Sequence, residues 1–297
     1  IPKNVSRIGS DAFEGCTSLS QITLQEGLKE IGANAFLDCG ALRSIIIPEG
    51  VTTIEEDAFA NCRLTEISLP RSLKTIGDDG VFQGNKFLTS VTIYGGVERI
   101  GSYAFDGCTS LSQVTLHEGI TTIGKFAFQN CSSLRSITLP EGVTTIEGGA
   151  FYNCDLRDIS LPQSLTIVND AIQLLVNGPW YGAFANNPNL TTIVIPNNVT
   201  HIGSYAFSGC HSLKNIVLND NLLTLGTGIF NDCFAMESIT FPKNITAIPA
   251  TAFHECYALS EVNLPEGLIS IGEMAFAYCS SLKTVQLPKT VTSLYRS

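Results

Sequence analysis

The hydrophobic positions of the chain recur with a fixed period. Phenylalanine returns every 23 residues, with a single interval of 33 residues. The twelve anchor positions are Phe13, Phe36, Phe59, Phe82, Phe105, Phe128, Phe151, Phe184, Phe207, Phe230, Phe253 and Phe276. Other apolar residues keep constant offsets from each anchor. A unit of this size cannot bury its own apolar residues, whereas stacked units can, so the period predicts a repeat solenoid.

The alternation of apolar and polar residues inside each repeat predicts two extended segments. Residues 111–116 place the apolar Val114 and Leu116 inward, with polar residues between them. This pattern predicts a short strand with one buried face, and we expect twelve such strands to form one parallel sheet. Residues 120–123 are apolar at both ends. They predict a second, shorter extended segment on the opposite edge of the coil.

The segment around each anchor is predicted to form a short helical turn. Ala104, Phe105 and Cys108 are spaced as on one turn of helix. Ser102 precedes them and is a plausible N-cap. Each repeat is therefore expected to contain a strand, a turn, a short extended segment and a helical turn. We expect residues 1–297 to form a single curved solenoid of about twelve repeats.

Two repeats depart from the standard spacing inside the repeat, although the third restores its 23-residue interval with an extra residue in Asp78-Asp79-Gly80. The third and the seventh each lack one residue after the cysteine, so that Leu64 and Leu156 come early. The seventh repeat also carries an insertion at residues 169–181, which should form a surface loop because the period continues on both sides. The apolar residues of this insertion are Ile172, Leu174, Leu175, Val176, Trp180 and Tyr181. We expect the insertion to pack on its own solenoid, away from the main sheet; the alternative is that it presents apolar anchors to a partner. The chain begins and ends in the middle of a repeat, which indicates a segment of a longer protein.

All ten cysteines lie three residues after an anchor phenylalanine. They are Cys16, Cys39, Cys62, Cys108, Cys131, Cys154, Cys210, Cys233, Cys256 and Cys279. The two remaining positions hold Asn85 and Asn187. A position that accepts either residue predicts an interior site for a small side chain that forms hydrogen bonds. The asparagines divide the cysteines into runs of three, three and four, so pairing of neighbours would leave odd thiols. We therefore predict reduced, buried and unreactive cysteines.

Charge and motif content argue against several functions. The chain has 27 acidic and 17 basic residues, and its net charge of −10 disfavours nucleic acids and anionic membranes as partners. No apolar run is long enough to span a bilayer. The sequence contains no phosphate-binding or dinucleotide-binding glycine motif and no CxxC pair. Its four histidines are His117, His201, His211 and His254, which fall in different repeats. We predict that the chain is not an enzyme and binds no cofactor or metal.

The outward positions of the predicted strands form columns of mainly small or polar residues. The column at the strand end is usually proline, but two adjacent repeats place Tyr94 and His117 there. Tyrosine is enriched at binding hot spots, so these two residues are the best candidate anchors for a partner. The full set of candidate partner-binding residues is Tyr94, His117, Gln113, Thr92, Thr115, Trp180 and Tyr181. The alternative is that this uncharged face is simply solvated.

The repeat unit resembles that of a known family. The pattern AFxxCxxLxxIxLPEGVxxIG occurs almost whole from Ala127 to Ile146 and is similar to the BspA-type leucine-rich repeat. The resemblance covers the whole chain except the insertion. It implies a leucine-rich-repeat solenoid with a parallel sheet, often found in secreted or cell-surface adhesion proteins of bacteria or protists. It supplies no catalytic motif and no conserved binding residue.

Three functions remain open on this basis. The first is a non-enzymatic protein-binding solenoid of a cell-surface adhesion or interaction protein, whose partner is a protein of a host cell, a neighbouring cell or the matrix. The second is a structural spacer or an intracellular scaffold. The third is glycan or ice binding along the threonine-rich face. It is the weakest of the three because Ile46, Val194 and Val217 interrupt that face.

Overall fold

The computed structural model of the chain describes residues 1–174 and 178–295. It divides into two compact units, Ile1–Val143 and Thr144–Ser297. Both units are built from coils, each of which contains one anchor phenylalanine. Over the described residues, no helix has the length and apolar character needed to cross a membrane.

The first unit contains eleven short strands. They are β1 (Arg7–Ile8), β2 (Glu30–Ile31), β3 (Ser44–Ile46), β4 (Thr53–Ile54), β5 (Glu66–Ser68), β6 (Thr75–Ile76), β7 (Ser90–Ile93), β8 (Arg99–Ile100), β9 (Gln113–Leu116), β10 (Thr122–Ile123) and β11 (Ser136–Thr138). The two-residue strands β1, β2, β4 and β6 form one parallel sheet, and β8 pairs with β10. The longer strands pair in parallel as β3 with β5 and β7 with β9.

The second unit repeats this arrangement. Its strands are β12 (Thr145–Ile146), β13 (Asp158–Ser160), β14 (Ile167–Val168), β15 (Thr192–Val194), β16 (His201–Ile202), β17 (Asn215–Val217), β18 (Thr224–Leu225), β19 (Ser238–Thr240), β20 (Ala247–Ile248), β21 (Glu261–Asn263), β22 (Ser270–Ile271) and β23 (Ser293–Leu294). The two-residue strands run in the orders β12-β14-β16-β18 and β20-β22-β23. The longer strands pair as β15 with β17 and β19 with β21.

The stacked coils confirm the predicted repeat solenoid, with two series of parallel strands on opposite edges. The longer strands have three or four residues and form two-stranded ladders within each unit, rather than one unbroken sheet. Most of these strands are followed closely by a proline, which cannot donate to a ladder. The pair β7 and β9 reaches four residues each, and there Tyr94 and His117 replace proline. The N–H of His117 donates to the carbonyl of Ile93 at 3.0 Å, which extends the pairing.

The anchor phenylalanines form the core of each unit. Neighbouring rings stack at centroid distances of 5.1 Å for Phe13 and Phe36 and 5.4 Å for Phe105 and Phe128 in the first unit. The second unit has the same ladder, as between Phe184 and Phe207 at 5.4 Å. Such pairs contribute about 0.5–1.5 kcal/mol each beyond the burial of their surface. Each repeat of the sequence therefore contributes one ring to the stacked column of its unit.

The predicted helical turns are consecutive tight turns instead, and the structure has no helix within residues 1–174 and 178–295. Left-handed residues flank the anchors: Asn34 has φ of 56° and Asp38 has φ of 59° on the two sides of Phe36. A left-handed residue interrupts a right-handed helix. The N–H of Phe36 donates to the carbonyl of Ala58 in the next coil at 2.8 Å, so it is not available for a helical bond. Ser102 accordingly caps no helix.

The position occupied by cysteine or asparagine satisfies backbone groups inside the coils. The thiol of Cys62 donates to the carbonyl of Phe36, the anchor of the preceding coil, at 3.1 Å. Nine of the ten cysteines are buried, whereas Cys16 in the first coil is exposed, contrary to prediction. Cys16 lies in the coil of Phe13, and none of the described residues covers its side chain. Burial raises the pKa of the Cys62 and Cys210 thiols to about 12.

Asparagine replaces cysteine where the preceding coil lacks one residue after its own cysteine. Asn85 Nδ2 donates to the carbonyls of Phe59 and Phe82 at 2.8 and 2.9 Å, and its Oδ1 accepts the N–H of Leu64 at 3.1 Å. Asn187 Oδ1 likewise accepts the N–H of Leu156 at 3.0 Å. Leu64 and Leu156 are the residues that come early in the two repeats that lack a residue after the cysteine. The asparagine carbonyl therefore compensates for the missing residue by accepting an N–H that would otherwise be buried without a partner.

Candidate partner-binding surfaces

Three side chains from successive coils stack at the end of the longer strands in the first unit. The rings of Tyr94 and His117 lie 5.1 Å apart with an interplanar angle of 20°. The guanidinium carbon of Arg71 lies 5.0 Å from the centroid of the Tyr94 ring. This order places a cation over one aromatic ring, which is favourable because the ring face is electron-rich. We call Arg71, Tyr94 and His117 the Tyr94 stack.

The backbone beneath the Tyr94 stack leaves an open concave surface. Gly95, Gly96 and Glu118 complete a pocket of about 540 Å³ with the three stacked residues. A Cβ at Gly95 would lie 2.3 Å from the carbonyl oxygen of Glu118, so the two coils approach closely only because Gly95 lacks a side chain. The pocket thus has an aromatic wall, one cationic group and one carboxylate.

The structure brings five of the predicted site residues together. Thr92 pairs with Thr115 in the β7–β9 ladder, and Gln113 lies opposite Ser90 at its start. Gln113, Thr115 and His117 are exposed, and Tyr94 and Thr92 are partly buried. Gln113 and Thr115 also line a second open pocket of about 430 Å³ with residues of β11. The strand pattern placed these five residues beside one another, and their role in binding stays a prediction. Arg71, whose guanidinium lies over the Tyr94 ring, is outside the predicted column and was missed.

The other two predicted residues, Trp180 and Tyr181, lie at the base of the insertion in the second unit. A single antiparallel bridge between Ile172 and Tyr181 closes the base of the insertion, and their backbone groups exchange hydrogen bonds of 2.8 and 3.3 Å. Trp180 stacks on Tyr205 at 5.3 Å and 4°. Tyr181 meets the edge of Tyr152 at 4.7 Å. Leu175 and Val176, which also belong to the predicted apolar set, lie outside the described residues.

The base of the insertion is also held by polar contacts. Asp170 Oδ1 accepts the backbone N–H of Ser204 at 2.7 Å and its hydroxyl at 2.9 Å. These hydrogen bonds, the backbone one first, lower the pKa of Asp170. Tyr205 and Ser204 belong to the turns beside an anchor, so the described part of the insertion packs on the turn side of the coil. Trp180 nevertheless keeps 41% of its surface exposed, which leaves part of the indole accessible.

A group of three potential metal ligands in the second unit was not predicted. One ligand atom each of Asp232, His254 and Glu255 lie within 4.8 Å of one another. Burial raises the pKa of Asp232, and the negative charge of Glu255 raises it further, whereas His254 and His211 lower it. Asp232 and Glu255 each follow their anchor by two residues. A search for ligands close together in the sequence could not find this group, because Asp232 lies one repeat before His254 and Glu255.

An aromatic column runs beside this group. His211 and Phe234 stack at 4.4 Å and 5°, and Phe234 and Tyr257 stack at 5.2 Å. All three residues follow their anchors by four positions, so this column could have been read from the repeat alignment. The second unit therefore displays aromatic rings on its turn side, whereas the first unit displays Tyr94 and His117 at the end of its longer strands.

Comparison with known proteins agrees with this architecture. The sequence profile of the BspA type leucine-rich repeat region, in six copies, matches residues 1–79, 52–172 and 181–297. A leucine-rich repeat protein from Bacteroides ovatus shares 29% identity over 98% of this chain and 78% of its own, with a TM-score of 0.81. A leucine-rich cell surface protein from Faecalibacterium prausnitzii shares 26% identity over 99% of this chain and 83% of its own, with a TM-score of 0.51. A leucine-rich repeat protein from Eubacterium ventriosum, at 21% identity over 93% of this chain and 81% of its own, has the same fold with a TM-score of 0.56. No curated protein matches the chain.

Proposed function

Because this chain belongs to the BspA-type leucine-rich repeat family, we propose that it is a non-enzymatic protein-binding solenoid, secreted or displayed on a cell surface. The similarity to a cell surface protein of Faecalibacterium prausnitzii supports the location. The family fold is typically used for recognition rather than catalysis, which supports the absence of enzymatic activity. The partner is a protein of a neighbouring cell, a host cell or the matrix.

The single observation that carries this proposal is the Tyr94 stack with its open pocket. Aromatic and arginine side chains dominate binding energy at protein interfaces, because they bury a large surface at a small entropic cost. The stack places Tyr94 between Arg71 and His117, which fixes its ring before a partner arrives. A side chain that is already ordered loses less entropy on binding. Gln113 and Thr115 supply hydrogen-bonding groups on the same strands.

The test compares binding of the chain and a Tyr94→Ala variant to a panel of purified matrix and cell-surface proteins by biolayer interferometry. We expect at least one panel member to bind and the variant to weaken it about 30-fold or more, the usual effect of removing a hot spot. Tyr295→Ala is the matched control, since it removes an exposed tyrosine elsewhere on the chain. It should leave the affinity unchanged.

The alternative of a structural spacer makes the opposite prediction. A spacer requires length and rigidity but no recognition, so no panel member would bind with an affinity that depends on Tyr94. Binding that is equal in the wild type and in Tyr94→Ala would refute the proposed site while leaving a binding function elsewhere on the chain.

A further inference from the structure

We propose that Asp232, His254 and Glu255 form a binding site for a divalent transition-metal ion of the Zn²⁺ type. The site lies on the turn side of the second unit and is separate from the Tyr94 stack, so it does not depend on the proposed function. It offers one imidazole and two carboxylates from two adjacent coils. The remaining coordination positions would be filled by water.

The three ligand atoms lie close enough together to converge on one ion. Zn²⁺ binds nitrogen and oxygen ligands at about 2.0–2.2 Å, which places tetrahedral ligand atoms about 3.3–3.6 Å from one another. His254 Nδ1 lies 3.8 Å from Glu255 Oε1, and all three ligand atoms fall within 4.8 Å. The side chains must therefore close by roughly 1 Å around the ion. Rotation about side-chain bonds supplies a movement of this size without a change in the backbone.

The backbone fixes the two coils against each other at this point. The N–H of Asp232 donates to the carbonyl of His254 at 2.9 Å, which joins the two ligand-bearing turns. Both carboxylate residues follow an anchor by two positions. The anchor rings of Phe230 and Phe253 are tilted by 32° with centroids 5.3 Å apart, and this contact sets the separation of the carboxylate residues. The ligands are thus brought together by the repeat itself rather than by a flexible loop.

Neighbouring side chains orient the ligands. The hydroxyl of Tyr257 donates a hydrogen bond to Glu255 Oε2, which leaves Oε1 facing His254. Asn231 Nδ2 donates to Asp232 Oδ2 at 2.8 Å. Partners that hold a ligand from behind in this way are a regular feature of metal sites and strengthen binding. Each carboxylate retains a second oxygen for an ion.

The donor set selects the class of ion. Imidazole favours Zn²⁺, Co²⁺, Ni²⁺ and Cu²⁺, whereas Ca²⁺ and Mg²⁺ prefer sites built only of oxygen. The two carboxylates repel each other in the absence of a cation, and a divalent ion between them removes this repulsion. We therefore expect Ca²⁺ to compete weakly. The three protein ligands leave an open position, as in exchangeable rather than fully closed zinc sites.

The experiment measures Zn²⁺ binding by equilibrium dialysis of the reduced full chain, with the ion quantified by atomic absorption. We expect one Zn²⁺ per chain, and at least tenfold weaker binding in each of the Asp232→Asn, His254→Gln and Glu255→Gln variants. The matched control is His117→Gln, which removes an exposed imidazole from the first unit and should bind as the wild type does. A 100-fold excess of Ca²⁺ should leave the bound Zn²⁺ in place.

Two measurements on the unaltered chain keep the test decisive if a variant fails to fold. Bound Co²⁺ should give visible absorption typical of nitrogen and oxygen ligands, and Zn²⁺ should protect His254, but not His117, from modification by diethyl pyrocarbonate. The proposal is overturned if the wild type binds no Zn²⁺, or if Co²⁺ shows thiolate charge-transfer bands. It is overturned equally if binding persists in the folded His254→Gln and Asp232→Asn variants.

Discussion

Replacing Asn85 by cysteine tests why ten coils use one residue at this position and two coils use the other. Asn85 is fully buried and forms three hydrogen bonds, two as donor through Nδ2 and one as acceptor through Oδ1. A cysteine thiol would keep the donation to the preceding anchor carbonyl, as Cys62 does. It would leave the N–H of Leu64 without a good acceptor, because sulfur accepts only weakly.

The expected magnitude follows from these bonds. Leu64 is fully buried, so its N–H has no access to water in the folded chain. A buried donor left without a partner costs about 1–3 kcal/mol, and the lost bond to the carbonyl of Phe82 adds about 1 kcal/mol. We expect Asn85→Cys to destabilise the chain by about 2–4 kcal/mol. The side chain is only slightly smaller than asparagine, so a cavity contributes little.

The assay is urea unfolding, combined with hydrogen exchange of the Leu64 amide measured by mass spectrometry. A lower unfolding midpoint and faster exchange at Leu64 are expected, since coils couple mainly to their neighbours and the loss should be local. Inserting one residue between Cys62 and Leu64 restores the standard three-residue spacing of these positions, as between Cys108 and Leu111. In the Asn85→Cys background this insertion should recover most of the lost stability.

The reverse substitution is the matched control. In the standard repeat the leucine N–H bonds within its own turn, as Leu111 does with the carbonyl of Cys108 at 2.9 Å. Cys131→Asn would therefore bury an amide oxygen without a hydrogen-bond donor, because the N–H of Leu111 is already bonded to Cys108. This substitution should also destabilise the chain. If Asn85→Cys changes stability by less than about 0.5 kcal/mol, as a neutral surface change does, the compensation argument is wrong.

Three further predictions concern the thiols and the insertion. Ellman's reagent should find ten thiols after denaturation but only one fast-reacting thiol, Cys16, in the folded chain; several missing thiols would indicate disulfides. Burial raises the pKa of the Cys62 thiol from 9.0 to about 12, so its contribution to stability should be complete below pH 9 and decline from there towards pH 12; Cys62→Ser should reduce this decline. Acrylamide should quench Trp180 only partly, and Tyr205→Ala should increase the quenching, because Tyr205 covers one indole face; quenching as strong as for free tryptophan would refute packing of the indole.

The fold was predictable because the constant repeat length aligns equivalent residues of neighbouring coils. Stacking of the anchors and the inward positions of the strands follow directly from a period of 23 residues. The helical turns were predicted wrongly because apolar residues spaced by one and three also fit a tight turn. Asn34 and Asp38 tolerate left-handed backbone better than most residues, and this was the available signal. The bonds from anchor N–H groups to the next coil decide the outcome, and they cannot be read from one repeat.

The candidate surfaces were predictable only in part, for a related reason. Tyr94 and His117 share a column, so alignment of the repeats places them side by side. Arg71 lies one position outside that column and reaches the Tyr94 ring through a long side chain, whose direction no pattern specifies. In the group of Asp232, His254 and Glu255, the two carboxylate residues follow their anchors by two positions and the histidine follows its anchor by one. It appears only when residues of adjacent coils are compared in space.

Departures from a repeat become informative once the scaffold explains some of them. Asn219 occupies the proline column and buries its amide, which donates to the carbonyls of Pro196 and Val199 at 2.7 and 2.9 Å. The scaffold therefore accounts for Asn219, as it does for Asn85. Tyr94 occupies the same column, but the turn uses only its carbonyl, which accepts the N–H of Val97 at 3.3 Å. Proline supplies the same acceptor elsewhere, as Pro48 does for Val51 at 3.3 Å. The turn does not need the Tyr94 ring, which supports the proposal that this ring serves recognition rather than folding.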